Sequence, residues 1–444
     1  MSEKLLSVGL DVGTTSTQLV VSELTVENQA GSFSVPRMEI GERKILYKSP
    51  VHFTPLLEGE QVDGVALRQI LDREYEKAGI TKEQVDTGAV IITGETSRKE
   101  NAAMVLDALS DYAGDFVVAT AGPDLESVLA AKGAGAVAFS EETGKTVLHM
   151  DIGGGTSNLA WIKEGGIIAT TCLNVGGRLL KINPQGQLTY VSPVLEGLFA
   201  PKAGDYVNQE WVQTLADTLV QALEMAAGLR EKTELLEKLT TKEVLGKGFE
   251  LPEGRLVISF SGGVADCIEK EQPWLAFGDM GPELGRAIGK SRLCRGEYVL
   301  GRETIRATVI GAGCHSAQLS GSTVFHQNVE FPLKNLPVAE SAAVLGRFDG
   351  PGILAMPGEA AADYRKVAAL AEELALALGT GPVYLALGAD MAKALGQQLA
   401  LRLGENARIL CVDGVALKSG DYLDIGSPVG PALPVVIKTL ILPR

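Results

Sequence analysis

Short apolar runs separated by glycine-bearing polar turns set the pattern of this chain. Leu5 to Leu10 is apolar, Asp11-Val12-Gly13-Thr14-Thr15 interrupts it, and Thr17 to Val21 resumes it. That order predicts a β-hairpin with Gly13 in its turn. A mixed segment over 25–62 carries prolines and a β-rich stretch, Lys44 to Phe53. Residues 64–78 show helical spacing, with Val65, Ile70 and Leu71 among charged positions. Ala89 to Ile92 reads as a buried strand running into Thr93-Gly94-Glu95. Beyond it, 99–112 reads as a helix, Phe116 to Ala119 as a strand and 123–138 as one Ala-rich helix.

The pattern then restarts. Thr146 to Met150 is apolar, Asp151-Ile152-Gly153-Gly154-Gly155-Thr156 breaks it, and Leu159 to Ile162 resumes it. Laid together, DVGTTSTQLV and DIGGGTSNLA share Asp, Gly and Leu in register, and set Gln18 against Asn158. Two such hairpins 140 residues apart indicate a duplicated lobe rather than a short-period solenoid. Residues 208–226 form one face of an amphipathic helix, with Trp211, Leu215, Leu219, Leu223 and Ala226. Leu256 to Phe260 is a strand opening onto Ser261-Gly262-Gly263. Helical stretches follow at 282–290 and from Arg302 to Gln318, the latter holding Gly311 and Gly313. A Pro-bearing stretch over 332–337 reads as a boundary. The tail alternates helix (361–378), strand (383–387), helix (389–403), strand (407–412) and a final strand (434–442). Alternating strands and helices predict an α/β fold.

Composition narrows the function. With 444 residues, the chain is long enough for two to four folded units. Its 40 basic and 55 acidic side chains give a net charge of −15, which repels a phosphate backbone and argues against nucleic-acid binding. No uncharged apolar run reaches the ~18 residues of a membrane span. The start, MSEKLLSVGLDVG, lacks the n-region, h-region and cleavage site of an export signal, so a cytoplasmic protein is expected. Five isolated cysteines without a C-x-x-C pair read as small buried hydrophobes in a reducing compartment. The four histidines lack ligand spacing, and His149, inside an apolar run, reads as a core residue.

The chemistry lies in the turns. A Gly/Thr turn exposes successive backbone N–H groups, a concavity that suits phosphate oxygens. An aspartate beside it can hold Mg²⁺ through the ion's waters. Two such hairpins across a cleft would grip a nucleotide's β and γ phosphates from both sides, and the third turn, at Gly262-Gly263, would lie against base or ribose. The plain alternative is that Asp and Gly serve local turn geometry. Three successive glycines at 153–155 weigh against it, because they destabilise a strand end without a close-approach reason. Three other glycine motifs are set aside. Gly285 to Ser291 has the wrong spacing for a Walker A loop and follows helix-like sequence. Gly133-Ala134-Gly135 and Gly311-Ala312-Gly313 sit in helical stretches, where small residues permit close packing.

In that order DVGTT, ITGETSR, DIGGGTS, SFSGGVAD and VIGAGCHSA resemble the phosphate 1, connect 1, phosphate 2, adenosine and connect 2 motifs of the actin/Hsp70/sugar-kinase ATPase superfamily. Within it the chain resembles the ethanolamine ammonia-lyase reactivating factors of the EutA family. The likeness rests on GLDVGTTSTQLVVSEL, AVIITGETSRKENA, HMDIGGGTSNLAW and VDGVALKSGDYLDIGSPVGPALPVVIKTL, and runs nearly end to end. The resemblance implies a two-lobed actin-like ATPase of duplicated ribonuclease-H-like lobes, at 1–144 and 145–330, with a C-terminal α/β domain at 331–444. It implies ATP/ADP and Mg²⁺ in the cleft, and ATP hydrolysis coupled to a client, an adenosylcobalamin-dependent ammonia-lyase whose damaged cobalamin is exchanged for intact cofactor. A homodimer and association with an ethanolamine-utilization microcompartment are compatible with it. Asp11 and Asp151 match the metal-facing aspartates. Gly13, Thr14 and Thr15, with Gly153, Gly154, Gly155 and Thr156, match the phosphate loops, and Ser261, Gly262 and Gly263 match the adenosine turn. Glu95 is the candidate for activating water, with helix capping as its other reading. Gly311 and Gly313 suit an interlobe hinge. Two rival functions share the fold. A small-molecule or carbohydrate kinase needs a base over an acceptor hydroxyl, and none is identifiable. The other is a filament-forming actin-like protein of the cell-division type; its membrane-tethered versions end in a basic amphipathic helix, whereas this chain ends LPVVIKTLILPR, which reads as a strand, so tethering is disfavoured.

Overall fold

Alternation of apolar and polar residues puts Val8, Leu10, Val12, Leu19 and Val21 on one face of the first hairpin, and burying that face organises the first sheet. A computed structural model describes residues 3–13, 16–28, 38–57, 61–92, 109, 112, 123–241, 256–315, 318–319, 324–346, 348, 350–358, 363–379, 381–415, 417, 421–426, 428 and 433–439. In it β1 (Glu3–Val12) pairs antiparallel with β2 (Ser16–Asn28), and β2 with β3 (Met38–Lys48) and the short β4 (His52–Phe53). β5 (Thr87–Ile92) joins β1 in parallel, giving the order β3-β2-β1-β5. Helix α1 (Gly64–Ala78) covers the buried face with Leu67, Leu71 and Tyr75. It starts where Asp63 accepts hydrogen bonds from the N–H groups of Val65 and Ala66. It stops at Gly79, whose φ of 71° ends the spiral.

The second sheet repeats the plan. β6 (Thr146–Ile152) and β7 (Ser157–Lys163) form the second hairpin, β8 (Gly166–Leu173) extends it, and a ribbon of β9 (Leu180–Ile182) and β10 (Leu188–Val191) follows. β11 (Leu256–Ser261) pairs in parallel with β6, and β12 (Tyr298–Leu300) with β11, so the order is β12-β11-β6-β7-β8. In each sheet a three-strand antiparallel meander has a parallel strand added beside its first member. This is the duplicated-lobe α/β architecture that the resemblance implies.

A third sheet holds β13 (Gln318–Leu319), β14 (Val324–Gln327), β15 (Leu333–Ala339), β16 (Ile353–Met356), β17 (Val383–Leu387), β18 (Ile409–Asp413), β19 (Asp421–Ile425) and β20 (Pro434–Thr439). Strands β15 to β18 run parallel in sequence order. The Pro-bearing stretch at 332–337 is therefore largely strand rather than a connection. Its Pro337 lies just past a register shift against β19, where a missing N–H is tolerated.

The segment 123–138 is not one helix. α2 (Pro123–Gly133) ends, Gly135 turns with φ 82°, and a second helix, α3 (Ala136–Thr143), begins. Helix propensity of the alanines yields to that left-handed glycine. The later helices α4 (Gln209–Ala226), α5 (Gly281–Lys290), α6 (Ala307–His315), α7 (Tyr364–Leu378) and α8 (Ala392–Leu403) lie where the pattern places them, with α6 shorter than expected at both ends. The predicted elements at 99–112 and 116–119 lie outside the described residues, Leu109 and Tyr112 apart.

Two helices exchange sheets. α2 precedes the second sheet in the chain yet packs on β6, β7 and β8, whereas α6 follows that sheet and packs on β1, β2 and β5 of the first. α2 and α6 also cross each other, and glycine makes the crossing close. A Cβ on Gly133 would lie 1.9 Å from the Ala307 carbonyl oxygen, and one on Gly311 2.0 Å from that of Leu129. Gly9 and Gly313 likewise bring α6 near β1: a Cβ on Gly9 would lie 2.3 Å from the Val309 carbonyl oxygen. The sheets are further tied by Arg306 donating to the Ser49 carbonyl (3.0 Å), Ser7 donating to the Gly313 carbonyl (2.5 Å) and a Lys48–Glu303 ion pair.

Candidate functional site

The two hairpins end in equivalent turns. Asp11 faces Gln18 and Asp151 faces Asn158 across their strand pairs, in the register that the sequence alignment predicts. Gly13 N–H donates to the Ser16 carbonyl and Gly153 N–H to the Thr156 carbonyl, both at 2.9 Å. Thr14 and Thr15 lie outside the described residues. Asp11 is half-buried and Asp151 buried. Burial lifts the Asp151 carboxyl to about 6, although hydrogen bonds from Ser261 and Thr308 favour its charge.

None of Gly153, Gly154 and Gly155 adopts a left-handed backbone, and Gly155 is exposed with open space where a Cβ would stand. No crowding within the described residues explains that third glycine. Crowding comes instead from Gly176-Gly177-Arg178, which lie outside the glycine motifs read from the sequence. A Cβ on Gly176 would lie 2.3 Å from the Gly154 carbonyl oxygen. Gly177 N–H donates to the Gly153 carbonyl (3.0 Å) and Arg178 N–H to that of Gly154 (2.6 Å). The Arg178 side chain packs along Gly154 and is held by Asp279, Nε to Oδ2 3.1 Å. Asn-Val-Gly-Gly-Arg was the available signal: a glycine pair followed by a cation.

The turn after β11 stands beside these residues. Ser261 is fully buried and its hydroxyl donates to Asp151 Oδ1 at 2.5 Å, so its side chain points back into the site. Gly262 has φ 87°, and a Cβ there would lie 2.3 Å from the Ile152 carbonyl oxygen, so only glycine fits. Gly263 is exposed.

Glu95 lies outside the described residues. A different carboxylate joins the two aspartates. Glu126, in the first turn of α2, is half-buried as a residue while its carboxyl group is enclosed. Burial, then the charges of Asp11 and Asp151, push its pKa well above the usual carboxylate range, and a hydrogen bond with Asn158 opposes them. One side chain thus lies within electrostatic reach of both aspartates. Two more atoms mark the same region: Gln18 Oε1 and Asn158 Oδ1 are buried without a partner, although Gln18 Nε2 donates to the Ile305 carbonyl at 3.2 Å. Among the described residues no three or more His, Cys, Asp or Glu side chains are arranged to hold a metal ion directly, and no helix is long and apolar enough to cross a membrane.

The family model described as ethanolamine utilisation protein EutA matches residues 3–346 and 347–443. Two curated relatives, from Escherichia coli strain K12 and Salmonella typhimurium strain LT2, are each described as ethanolamine ammonia-lyase reactivase EutA. Each is 37% identical over 475 aligned residues, covering 100% of this chain and 99% of the relative. Among solved structures, the ethanolamine utilization protein EutJ from Carboxydothermus hydrogenoformans aligns over 70% of this chain and 89% of its own, with 17% identity and a TM-score of 0.34. Matched by the family model almost from end to end, the chain belongs to the EutA family.

Proposed function

We propose that this protein is an ATP-dependent reactivase of ethanolamine ammonia-lyase, which helps a client with damaged cobalamin exchange it for intact adenosylcobalamin. The full-length likeness to two proteins described as reactivases of that enzyme carries the reading. The site supports ATP as the fuel. Two Asp-bearing turns converge on Glu126, Gly155 leaves open space above the second turn, and two buried amide oxygens lack partners. In this reading Gly13, Thr14, Thr15 and Gly153 to Thr156 cradle phosphate oxygens, and Gly262 and Gly263 lie against the nucleoside.

The donor set fits Mg²⁺ held through water: separate carboxylates on two different hairpins, with no direct ligand cluster among the described residues. Asp11 and Asp151 would hold it, and when bound it offsets phosphate charge as a Lewis acid. Glu126 is the side chain best placed to take a proton from an attacking water once the charge of the two aspartates is offset. Glu95 remains its rival for that role. Arg178, beside Gly154, can add positive charge near the phosphates.

Reactivation requires that nucleotide state change the relative affinity for client-bound and free conformations. The glycine-lined crossing of α2 and α6 is where the lobes could slide. The deciding experiment incubates inactivated ethanolamine ammonia-lyase with this protein, ATP, Mg²⁺ and adenosylcobalamin. Deamination should recover, and should fail to recover with Asp11→Ala or Asp151→Ala. Full recovery with both variants would overturn the site, and no recovery with the wild type would overturn the function.

A further inference from the structure

The face of the second sheet that looks toward α2 changes character along its strands. At one end Val147, Val257 and Ile162 pack with Ala131 and Ala136 in an apolar cluster. Further along β6 the same face carries His149 and then Asp151, and further along β11 it carries Ser259 and then Ser261. These four stand in direct parallel register, Ser259 beside His149 and Ser261 beside Asp151. All four are buried. An apolar residue at 149 would continue the cluster with no polar group to satisfy, so the imidazole needs a reason.

Both ring nitrogens are bonded. Nδ1 lies 3.0 Å from the Ser259 hydroxyl and Nε2 2.9 Å from the Ser261 hydroxyl. Ser261 itself donates to Asp151 Oδ1, and a serine hydroxyl has one proton to give. It must therefore accept from His149, so Nε2 carries the hydrogen. The ring's other nitrogen faces the Ser259 hydroxyl rather than a carboxylate, and a fully buried imidazole stays neutral, with one N–H, because a charge there would be desolvated without a counter-ion. Nδ1 then accepts from Ser259. Every proton in the row is assigned: Ser259 to His149, His149 to Ser261, Ser261 to Asp151.

This fixes more than a rotamer. A serine hydroxyl left alone could rotate toward another acceptor. With its oxygen engaged by the imidazole N–H, its proton is directed at the carboxylate, and a hydroxyl that accepts a bond is polarised into a better donor. One oxygen of Asp151 is thereby held by Ser261, while the other, among the described residues, meets only the longer contact from Thr308, at 3.4 Å.

We infer that His149 is a positioning residue for Asp151, acting through Ser261 to set which carboxylate oxygen is tied to the protein and which faces the cleft. The inference rests on the proposed use of Asp151 in holding the nucleotide's metal.

The test compares the full-length wild type with His149→Phe, Ser261→Ala, their double variant and His149→Gln, with Mn²⁺ as the probe in the presence of ADP. Mn²⁺ affinity, read from the EPR signal of the free ion, should fall about 10–100-fold in His149→Phe and in Ser261→Ala, the usual loss when a partner of a metal ligand is removed. The double variant should be no worse than Ser261→Ala. His149→Gln, whose amide can still donate to Ser261, should recover part of the loss. Independently of any ligand, ¹⁵N-histidine NMR of the wild type should show one neutral Nε2–H imidazole that vanishes in His149→Phe and shifts in Ser261→Ala. Unchanged Mn²⁺ affinity in His149→Phe, losses that multiply in the double variant, or an Nδ1–H tautomer would each overturn the inference. If His149→Phe fails to fold, the wild-type ¹⁵N-histidine spectrum and the Mn²⁺ affinity of His149→Gln still decide it: an Nδ1–H tautomer overturns the inference, and so does a His149→Gln affinity as low as that of Ser261→Ala. A wild type that binds no Mn²⁺ with ADP would instead overturn the nucleotide reading, and this inference with it.

Discussion

The α2–α6 crossing gives the sharpest stability prediction. In Gly311→Ala the added methyl would lie 2.0 Å from the Leu129 carbonyl oxygen and 2.6 Å from its carbon, where ordinary contact begins at 3.4 Å. The obstacle is helix backbone, which cannot rotate aside, so the helices must part by more than 1 Å. Overpacking of this kind costs about 1–3 kcal/mol, and sometimes more. Alanine returns at most about 1 kcal/mol through its better helix propensity. A net loss of about 1–2 kcal/mol follows, equivalent to about 2–8 °C in Tm for a unit of 150–250 residues. Gly133→Ala should cost a similar amount, because its methyl meets the Ala307 carbonyl oxygen at 1.9 Å. The two together should lose less than the sum, since one separation makes room for both methyls. Gly64→Ala, at the start of α1 with nothing within 4 Å of its Cβ position, is the control and should be neutral or slightly stabilising. Calorimetry on the four variants decides the matter. A Gly311→Ala protein that melts at or above the wild-type temperature would refute the crossing.

Three other outcomes are expected. Gly262→Ala forces a side chain onto a φ of 87° against the Ile152 carbonyl, so it should lose about 1–3 kcal/mol in urea unfolding and weaken ADP binding; wild-type values for both would count against the turn. Because His149 stays neutral when folded down to about pH 3 and protonates near 6.5 when unfolded, its contribution is complete above pH 6.5 and is lost as pH falls; between pH 6.5 and 4.5 about 2–3 kcal/mol should go. Urea titrations should find a shallower pH dependence in His149→Gln, and identical slopes would refute the assignment. Glu126→Gln should slow ATP hydrolysis about 10²–10⁴-fold while keeping ADP binding, whereas Glu95→Gln should change it little; the reverse ranking, read from phosphate release, would return the role to Glu95.

Much of the site was legible because its signals are local. A strand, an aspartate and a small-residue turn lie within ten residues, and the pairing of Asp11 with Gln18 and Asp151 with Asn158 follows from hairpin length alone. What escaped depends on distant partners. Glu126 looks like any acid in the first turn of a helix, where the dipole alone would favour it; its role emerges only when α2 brings it near two strands that are far apart in sequence. Ser261 stands in a glycine turn that suits a nucleoside, and nothing in its neighbours reveals that its hydroxyl turns inward to Asp151. The apolar run around His149 already puts it in the core, but the two serines that make it a link rather than a filler come from another strand. The break at Gly135 does not show in the sequence, because alanine propensity is summed over a window and one left-handed residue is not.

The exchange of helices between sheets bears on how the protein is made. Val20, in the first hairpin, is shielded by Val309 and Ile310 of α6, which leave the ribosome long after it. The amino-terminal sheet must therefore wait, with part of its surface bare, until the polypeptide has been translated past the whole of the second sheet. Severing the chain between the two sheets would strand each with a helix that belongs to the other, so separately expressed halves should be insoluble alone and recover only when produced together.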